Sequence, residues 1–150
     1  MHTIQTAYFG ELAYSEANVI HFERGLPGFE HERDFVSIAR EDCQPLIFLQ
    51  SLATEKLCFV TLPVPPIYPG YDLDPQAEDL DALGLPPGTR PAIGSEFACL
   101  AIVSVNEDGP ATANLLAPVV IHVPGRRAAQ VIQSNPDYLL HHPIGGAACS

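Results

Sequence analysis

The most concentrated set of potential metal ligands in the sequence is an acidic run between residues 72 and 81. Its carboxylates stand at Asp72, Asp74, Glu78, Asp79 and Asp81. A calcium loop of the EF-hand type needs glycine at its sixth position, where the chain turns sharply, and a bidentate glutamate at its twelfth. Counted from the first of these aspartates, those positions hold alanine and leucine. The run therefore does not predict a calcium site, and a solvated helix start is the favoured interpretation.

Histidines and cysteines, which could bind a transition metal or act as nucleophiles, show no catalytic or metal-binding spacing. The six histidines form neither His-x-His nor His-Glu-x-x-His, and the four cysteines form no C-x-x-C pair. The sequence also lacks the G-x-S-x-G nucleophile elbow and the glycine-rich loops that bind nucleotide phosphates. A Cys–His pair assembled in space stays open, since such pairs need no proximity in sequence. We therefore expect no cofactor, no metal and no catalytic centre, with a small β-barrel hydrolase as the competing hypothesis.

The charge of the chain excludes several classes of partner. The chain has 150 residues, with 18 acidic against 7 basic side chains and a formal net charge of -11. Contacts to nucleic-acid phosphates require clustered cations, and anionic membrane surfaces attract the same residues. We therefore expect no direct nucleic-acid binding and no membrane binding, whereas a basic protein is a partner that this charge would attract. Eight of the acids but only one arginine lie in residues 71–110, so the charge is concentrated in the middle of the chain.

Short apolar runs separated by turn residues must position these side chains. Runs of strand length recur about nine times, with turns about every 8–12 residues. They include residues 18–22, 35–39, 46–49, 57–62, 97–105, 111–116, 119–123 and 128–133. One helix is predicted to begin with Asp74 as its N-cap and Pro75 as its first residue, and to stop at Gly84. The pattern predicts a mainly β, single-domain, antiparallel β-barrel-like fold over residues 1–150, with at most one or two short helices.

Four further expectations concern the turns, the edges and the ends of the chain. The Asp108-Gly109 pair predicts a hairpin turn. Pro118 interrupts an apolar run, which predicts a bulge or an edge strand that could accept a strand from a partner. The first residues lack the charged and apolar regions of a secretory signal, so we expect a cytoplasmic protein. Residues 141–150 are expected to form a flexible tail.

The segment Gly25-Leu26-Pro27-Gly28-Phe29 predicts a tight turn of type II. Pro27 presets the backbone angle φ at the second position of such a turn, and Gly28 supplies the positive φ required at the third. Two aromatic residues, Phe22 and Phe29, flank the turn and could pin it. Farther along the chain, Asn114 is expected to be a buried polar anchor that must find hydrogen-bond partners.

Taken in chain order, these segments resemble the FliW family of flagellar assembly factors. The resemblance covers most of the chain and runs through Phe22 with Gly25-Leu26-Pro27-Gly28-Phe29-Glu30, Leu49-Gln50-Ser51, Phe59-Val60 with Pro63, Tyr71, Asn114-Leu115-x-Ala117-Pro118-Val119-x-Ile121, Arg126 or Arg127, Gln130-Val131-Ile132 and Tyr138. Each element alone is weakly specific, whereas the ordered set is strongly so. The resemblance implies structural roles for the motif residues Gly25, Leu26, Pro27, Gly28, Phe29, Gln50, Asn114, Pro118 and Gln130.

The resemblance further implies a cytoplasmic, non-enzymatic domain that binds two proteins in turn. One is flagellin, bound in a chaperone-like way, and the other is the translational regulator CsrA, whose repression of flagellin translation the free factor relieves. An acidic binder suits a regulator that must present cations to RNA. The candidate CsrA-binding residues are Glu30, Glu32, Asp34, Glu41, Asp72, Asp74, Glu78, Asp79 and Asp81. An apolar surface is expected to carry flagellin, and a FliW-like domain that has lost one of these partners stays open as an alternative.

Overall fold

The fold was obtained as a computed structural model, which describes residues 2–94, 96–105 and 109–144. The strands are β1 (His2–Thr6), β2 (Gly10–Tyr14), β3 (Val19–Phe22), β4 (Asp34–Ala39), β5 (Ile47–Ser51), β6 (Cys58–Pro63), β7 (Phe97–Ser104), β8 (Thr112–Ala113), β9 (Val119–His122), β10 (Arg127–Gln130) and β11 (His142–Pro143). The α-helices are α1 (Val64–Ile67) and α2 (Ala77–Ala82), and single 3₁₀ turns span Glu16–Asn18 and Glu41–Cys43. The expected mainly β fold with two short helices is confirmed.

Seven of the strands close into a barrel. Their order around the ring is β7-β6-β5-β4-β3-β10-β9, and β9 pairs back with β7. Neighbours are antiparallel except at one seam, where β10 runs parallel to β3 with Arg127 opposite His21 and Ala128 opposite Phe22. The expected antiparallel β-barrel-like fold is confirmed apart from this one pair, because a ring with an odd number of strands cannot alternate direction throughout. At least one parallel pair is therefore required to close it.

The barrel interior is filled by side chains from alternate strand positions. Successive residues of a strand face opposite sides of the sheet, so Ile20 and Phe22 of β3 face the same side, and both are buried. They belong to one apolar cluster with Leu26, Phe35, Leu49, Leu100, Val119, Ile121 and Ala128. Burying one such large side chain contributes about 1.5–3 kcal/mol. This cluster draws buried residues from six of the seven ring strands, and the partly buried Phe59 of β6 packs against it, so it stabilises the closed form.

The other face of β7 is covered by the segment that contains both helices. Phe97, Cys99 and Ala101 occupy alternate positions of β7 and are buried. They pack in a second apolar cluster that includes Val64 of α1 and Leu83, which follows α2. Both helices therefore rest on the outside of the barrel, α1 against β7 and α2 against β10.

Helix α2 begins later than the sequence predicts. Its N-cap is Gln76, and Asp74 and Pro75 lie outside the helix. The Asp79 carboxylate accepts the N–H of this N-cap residue at 2.8 Å. The carboxylate of Asp74 instead accepts a hydrogen bond from the Ser134 hydroxyl at 2.7 Å. Asp74 therefore bonds to a residue distant in sequence and does not cap the helix, contrary to what its local sequence predicts.

Pro118 does not create a free strand edge, contrary to the expectation. It immediately precedes β9, which pairs with β7 on one side and with β10 on the other. The missing N–H of a proline costs no ladder hydrogen bond at a position before a strand. The Pro118 carbonyl accepts a hydrogen bond from the N–H of Val131 at 3.0 Å. This part of the chain is therefore closed to strand addition by a partner.

The N-terminal hairpin of β1 and β2 has no counterpart among the sequence predictions. It forms its own two-stranded sheet. Phe9 in its turn packs edge to face on Phe48 of β5, with ring centres 5.2 Å apart, and the N–H of Ala7 donates to the Glu55 carbonyl. Most of its residues are exposed or half-buried, so no strong apolar alternation marks these strands.

Two expectations fall partly or wholly outside the described residues. Asp108 of the predicted hairpin turn lies there, and so do residues 145–150 of the expected tail. Within the earlier part of that expected tail, His142 and Pro143 form β11, which pairs antiparallel with β8. Regular sheet structure thus continues past residue 141.

Candidate partner-binding surface

The turn between β3 and β4 forms one wall of the candidate surface. The N–H of Phe29 donates to the Leu26 carbonyl at 2.7 Å, and Gly28 has a φ of 84°. These features confirm the predicted type II turn. Gly25 has a φ of 64°, and a side chain there would place its first carbon 2.7 Å from the backbone of Glu30. Both the backbone angle and the lack of space therefore require glycine at this position.

Helix α2 forms the opposite wall, and an ion pair joins it to the turn. Nη2 of Arg24 donates to the Asp79 carboxylate at 2.8 Å. The side chain of Asp79 is 9% exposed, whereas that of Arg24 is 46% exposed. The second carboxylate oxygen accepts the N–H of Gln76, so both oxygens have donors. Asp79, one of the predicted partner-binding acids, is thus committed to holding the helix against the turn.

An acidic groove lies between these two walls. It has a volume of about 390 Å³ and is lined by Arg24, Gly25, Pro27, Glu30, Gln76, Glu78, Asp79, Gln130 and Ile132. The fold here brings together Glu30 of the β3–β4 loop and Glu78 of α2, which are distant in sequence. Ile132 is 62% exposed, and nothing in its sequence context distinguishes it from a core residue. The groove therefore combines carboxylates with an exposed apolar side chain.

A second depression, of about 630 Å³, also adjoins α2, and Asp72, Asp74 and Arg90 line it. The loop that carries the two aspartates is held by Gln133, which is buried. Its Nε2 donates to the Asp72 carbonyl at 2.6 Å and its Oε1 accepts the N–H of Asp74 at 2.9 Å. The Tyr138 hydroxyl accepts the N–H of Asp72 at 3.0 Å. Sequence reasoning places Gln133 only at a strand end, because no local signal marks a buried glutamine.

Two of the predicted acids in the β3–β4 region are engaged by other side chains. The carboxylate of Glu32 accepts hydrogen bonds from the hydroxyls of Ser51 and Thr54. One oxygen of Asp34 lies 2.7 Å from Nδ1 of His21, which sits at the parallel seam of the barrel. These contacts tie the loops of the barrel to each other. They leave less of the charge of Glu32 and Asp34 available to a partner.

The remaining predicted acids keep most of their charge toward solvent. Asp72, Glu78 and Asp81 are exposed and make no side-chain hydrogen bond or ion pair within the described part of the chain. Glu30 is exposed as well, although its carboxylate accepts the N–H of Gly28 at 2.6 Å. Glu41 is exposed on a 3₁₀ turn and does not line the acidic groove. Glu30 and Glu78 are therefore the exposed acids that share a depression with the exposed Ile132.

The polar residues of the family motif anchor the backbone inside the fold. Gln50 is fully buried, and its Nε2 donates to the carbonyls of Ser51, Thr54 and Glu55. Its Oε1 is buried without a hydrogen-bond partner among the described residues. Asn114, which is half-buried, accepts the N–H of Ala117, and Gln130 donates to the carbonyl of the same residue, each at 2.9 Å. Two motif residues thus fix the backbone just before Pro118 and β9.

The ionisable groups of the core favour neutral forms. Burial raises the pKa of Cys58 to about 11 and that of Cys99 to about 12. Both thiols are free and are protonated at neutral pH, so they are weak nucleophiles there. Burial, with a smaller effect of Cys99, also raises the pKa of Tyr71.

The described ranges contain no group of three or more His, Cys, Asp and Glu side chains placed to hold a metal ion. Over the same ranges, no helix has the length and apolar character needed to cross a membrane.

Known proteins match this chain over nearly its whole length. The family described as FliW protein matches residues 3–144. The flagellar assembly factor FliW of Bacillus subtilis strain 168 is 31% identical over 150 residues, which cover 97% of this chain and 99% of that protein. The protein of the same name from Geobacillus thermodenitrificans strain NG80-2 is 35% identical over 141 residues, or 94% of each chain. A crystal structure of the flagellar assembly factor FliW is similar with a TM-score of 0.82 and 33% identity, over 97% of this chain and 98% of that one. The chain belongs to the FliW family of flagellar assembly factors.

Proposed function

We propose that this flagellar assembly factor binds flagellin and the translational regulator CsrA, each in place of the other. Flagellin occupies the factor in a chaperone-like way while flagellin accumulates. Once flagellin is exported, the free factor binds CsrA and relieves the repression of flagellin translation. Two ligands of one protein deplete each other by mass action, so no catalytic step is needed. On this proposal the protein is a non-enzymatic component of the cytoplasm.

The convergence of carboxylates on the acidic groove carries the CsrA part of the proposal. Glu30 and Glu78 line the same depression, next to the exposed Ile132. A regulator that binds RNA must present cations, which these carboxylates complement. Each exposed ion pair contributes only about 0–1 kcal/mol, so the carboxylates contribute mainly steering and specificity. An apolar anchor beside them would carry more of the affinity.

Exposed apolar side chains in the C-terminal part of the chain support the flagellin part of the proposal. Ile132, Leu139 and Leu140 are large, apolar and exposed. Residues 111–150 contain one acidic residue and two arginines, so the charge is sparse in this part of the chain. Burial of apolar surface drives association without requiring complementary charge. We therefore assign flagellin to these residues and CsrA to the acidic groove, with Ile132 shared by both contacts, so that the two partners exclude each other.

Calorimetric titration with the CsrA of the same organism tests the electrostatic assignment. The double variant Glu30→Gln, Glu78→Gln should raise the Kd by up to about fivefold per charge, since about 1 kcal/mol corresponds to that factor. It should also weaken the dependence of the Kd on salt. Glu55→Gln removes an exposed acid outside the groove and serves as the matched control, with an unchanged Kd. If the Kd of the unaltered protein for CsrA does not change with salt concentration, this assignment is wrong.

A competition pull-down tests the exchange of the two partners. The factor saturated with flagellin should no longer capture CsrA, and excess CsrA should displace flagellin. Leu139→Ser should weaken capture of flagellin and leave capture of CsrA intact. A stable complex that contains all three proteins would contradict the exchange. Capture of only one partner would place the chain among FliW-like domains that have lost the other.

A further inference from the structure

A small depression at the junction of the N-terminal hairpin and the barrel contains an arginine with unused hydrogen-bonding capacity. Its volume is about 190 Å³, and its lining includes Tyr14 of β2, Val36 and Ile38 of β4, Asn18 and Arg126. It shares no lining residue with the acidic groove. Among the described residues that line it, Arg126 is the only charged one. The depression therefore presents a single cation beside apolar side chains.

The guanidinium of Arg126 has more donors than the fold supplies with acceptors. An arginine carries five N–H donors. Nη2 of Arg126 donates to the Asn18 carbonyl at 2.5 Å. Its Nε is buried and has no hydrogen-bond partner within the described residues, and none of the ion pairs formed there includes this side chain. The guanidinium forms only the one hydrogen bond to Asn18 within the described residues, so the N–H groups of Nη1 and the second N–H of Nη2 can take an acceptor from outside the chain.

The backbone of Arg126 gives an independent indication of the same site. Arg126 is the one non-glycine residue with a positive φ, 53°, in the described part of the chain. Its N–H donates to the Val123 carbonyl, and its carbonyl accepts the N–H of His21 at the barrel seam. Glycine adopts this conformation at no steric cost and makes the same backbone hydrogen bonds. The backbone of the turn therefore does not need an arginine here, whose side chain adds the bond to the Asn18 carbonyl, and backbone strain of this kind is typical of functional sites.

The neighbouring Arg127 shows what a structural arginine looks like in the same turn. It lies 3.6 Å from the carboxylate of Glu23 and is 42% exposed. Its charge is thus paired within the chain, and its backbone is an ordinary member of β10. Of these two half-buried arginines, only Arg126 combines unpartnered donors with an adjoining depression.

We propose that this depression binds a carboxylate, with Arg126 as the residue that holds it. The carboxylate oxygens accept N–H groups of Nη1 and Nη2, which the planar guanidinium presents side by side. The depression is below the range of drug-sized ligand pockets, about 300–1,000 Å³, so it takes one carboxylate group. That group belongs either to a free small acid or to an acidic side chain of a peptide segment.

Nuclear magnetic resonance of the arginine Nε–H groups tests the site directly. Sodium acetate represents the free acid, a blocked glutamate amide represents the peptide side chain, and sodium chloride at equal ionic strength is the control. The Nε–H signal of Arg126 should shift saturably with a carboxylate and not with chloride. The signals of the exposed Arg33 and of Arg127 should stay in place. Tighter binding of acetate identifies a free acid, and tighter binding of the glutamate amide identifies a peptide segment.

Thermal unfolding of two matched variants gives a second readout. Arg126→Lys keeps the charge but lacks the planar fork of N–H donors, and Arg127→Lys makes the same exchange at the paired neighbour. For each protein, the Tm in carboxylate is compared with the Tm in chloride. The increase in Tm should vanish in Arg126→Lys and persist in Arg127→Lys. The absence of a saturable shift, an equal shift at Arg33, or an increase in Tm that survives Arg126→Lys would overturn the proposal.

Discussion

Gly25 meets two constraints at once, since its φ of 64° lies in the left-handed region and the Glu30 backbone occupies the space of a side chain. Gly25→Ala is expected to reduce the free energy of unfolding by about 2 kcal/mol or more. Gly28→Ala, where φ is 84° and nothing lies within 4 Å, should cost about 1–2 kcal/mol through the backbone angle alone. Urea unfolding compares the two variants. A smaller loss at Gly25 than at Gly28 would rule out the steric role of the Glu30 backbone.

The ion pair of Arg24 and Asp79 should be worth more than an exposed pair on the same protein. Asp79 is buried, but Arg24 is half-exposed, so solvent screening limits the coupling to about 1–2 kcal/mol. The control is the pair of Arg40 and Asp42, which is half-exposed on both sides at 3.4 Å and should contribute about 0–0.5 kcal/mol. Double-mutant cycles followed by urea unfolding measure both values. Equal coupling energies would show that the burial of Asp79 adds nothing.

The thiol of Cys99 makes stability depend on pH in the alkaline range. Burial raises its pKa from 9.0 to about 12, so the unfolded chain releases this proton at lower pH than the folded protein does. The contribution of this thiol to the free energy of unfolding should therefore be constant below about pH 9. It should fall as the pH rises toward 12. Cys99→Ala should flatten that slope in urea titrations on both sides of pH 9. An unchanged slope would mean that other groups, such as the buried Tyr71, account for it.

At the scale of elements, Gln133 fixes the loop that leads into α2. Gln133→Leu removes the acceptor for the Asp74 N–H and the donor to the Asp72 carbonyl. We expect a loss of about 1–3 kcal/mol in unfolding free energy, because buried backbone groups are left without partners. Hydrogen exchange at the Asp74 amide should accelerate, and the exposed Gln5→Leu should leave it unchanged. If the Asp74 amide stays protected in Gln133→Leu, other contacts hold this loop in place.

The elements that sequence predicts well are those whose apolar alternation is local. Strands such as β3, β4 and β7 match their apolar runs because every second side chain enters a packed cluster. The start of α2 could not be predicted, since the side chain of Asp74 is taken by Ser134, a residue far along the chain. The sequence alone identifies the acids of the candidate surface. Their division into paired ones, such as Asp79, and free ones, such as Glu78, depends on contacts that only the folded chain creates.

At the scale of the whole molecule, the N-terminal hairpin is an addition to a ring that closes without it. It contacts the barrel through the Phe9–Phe48 ring pair and the hydrogen bond from Ala7 to the Glu55 carbonyl. Phe9→Ala should speed hydrogen exchange of the β1 and β2 amides through local opening and leave that of β6 near the wild-type rate. Tyr8→Ala, at an exposed residue beside it, is the control. Loss of protection throughout the barrel would show instead that the hairpin is part of one cooperative unit.

The parallel seam between β3 and β10 also determines when the barrel can close during synthesis. The hydrogen bond between Arg126 and Asn18 across this region spans 108 residues. Until the ribosome has released β10, the nascent chain is an open sheet whose β3 edge has unpaired N–H and carbonyl groups. Contacts so distant in sequence form late and slow the folding of a chain. A factor proposed to shield flagellin therefore passes through a stage in which its own β3 edge is open to pairing with other chains.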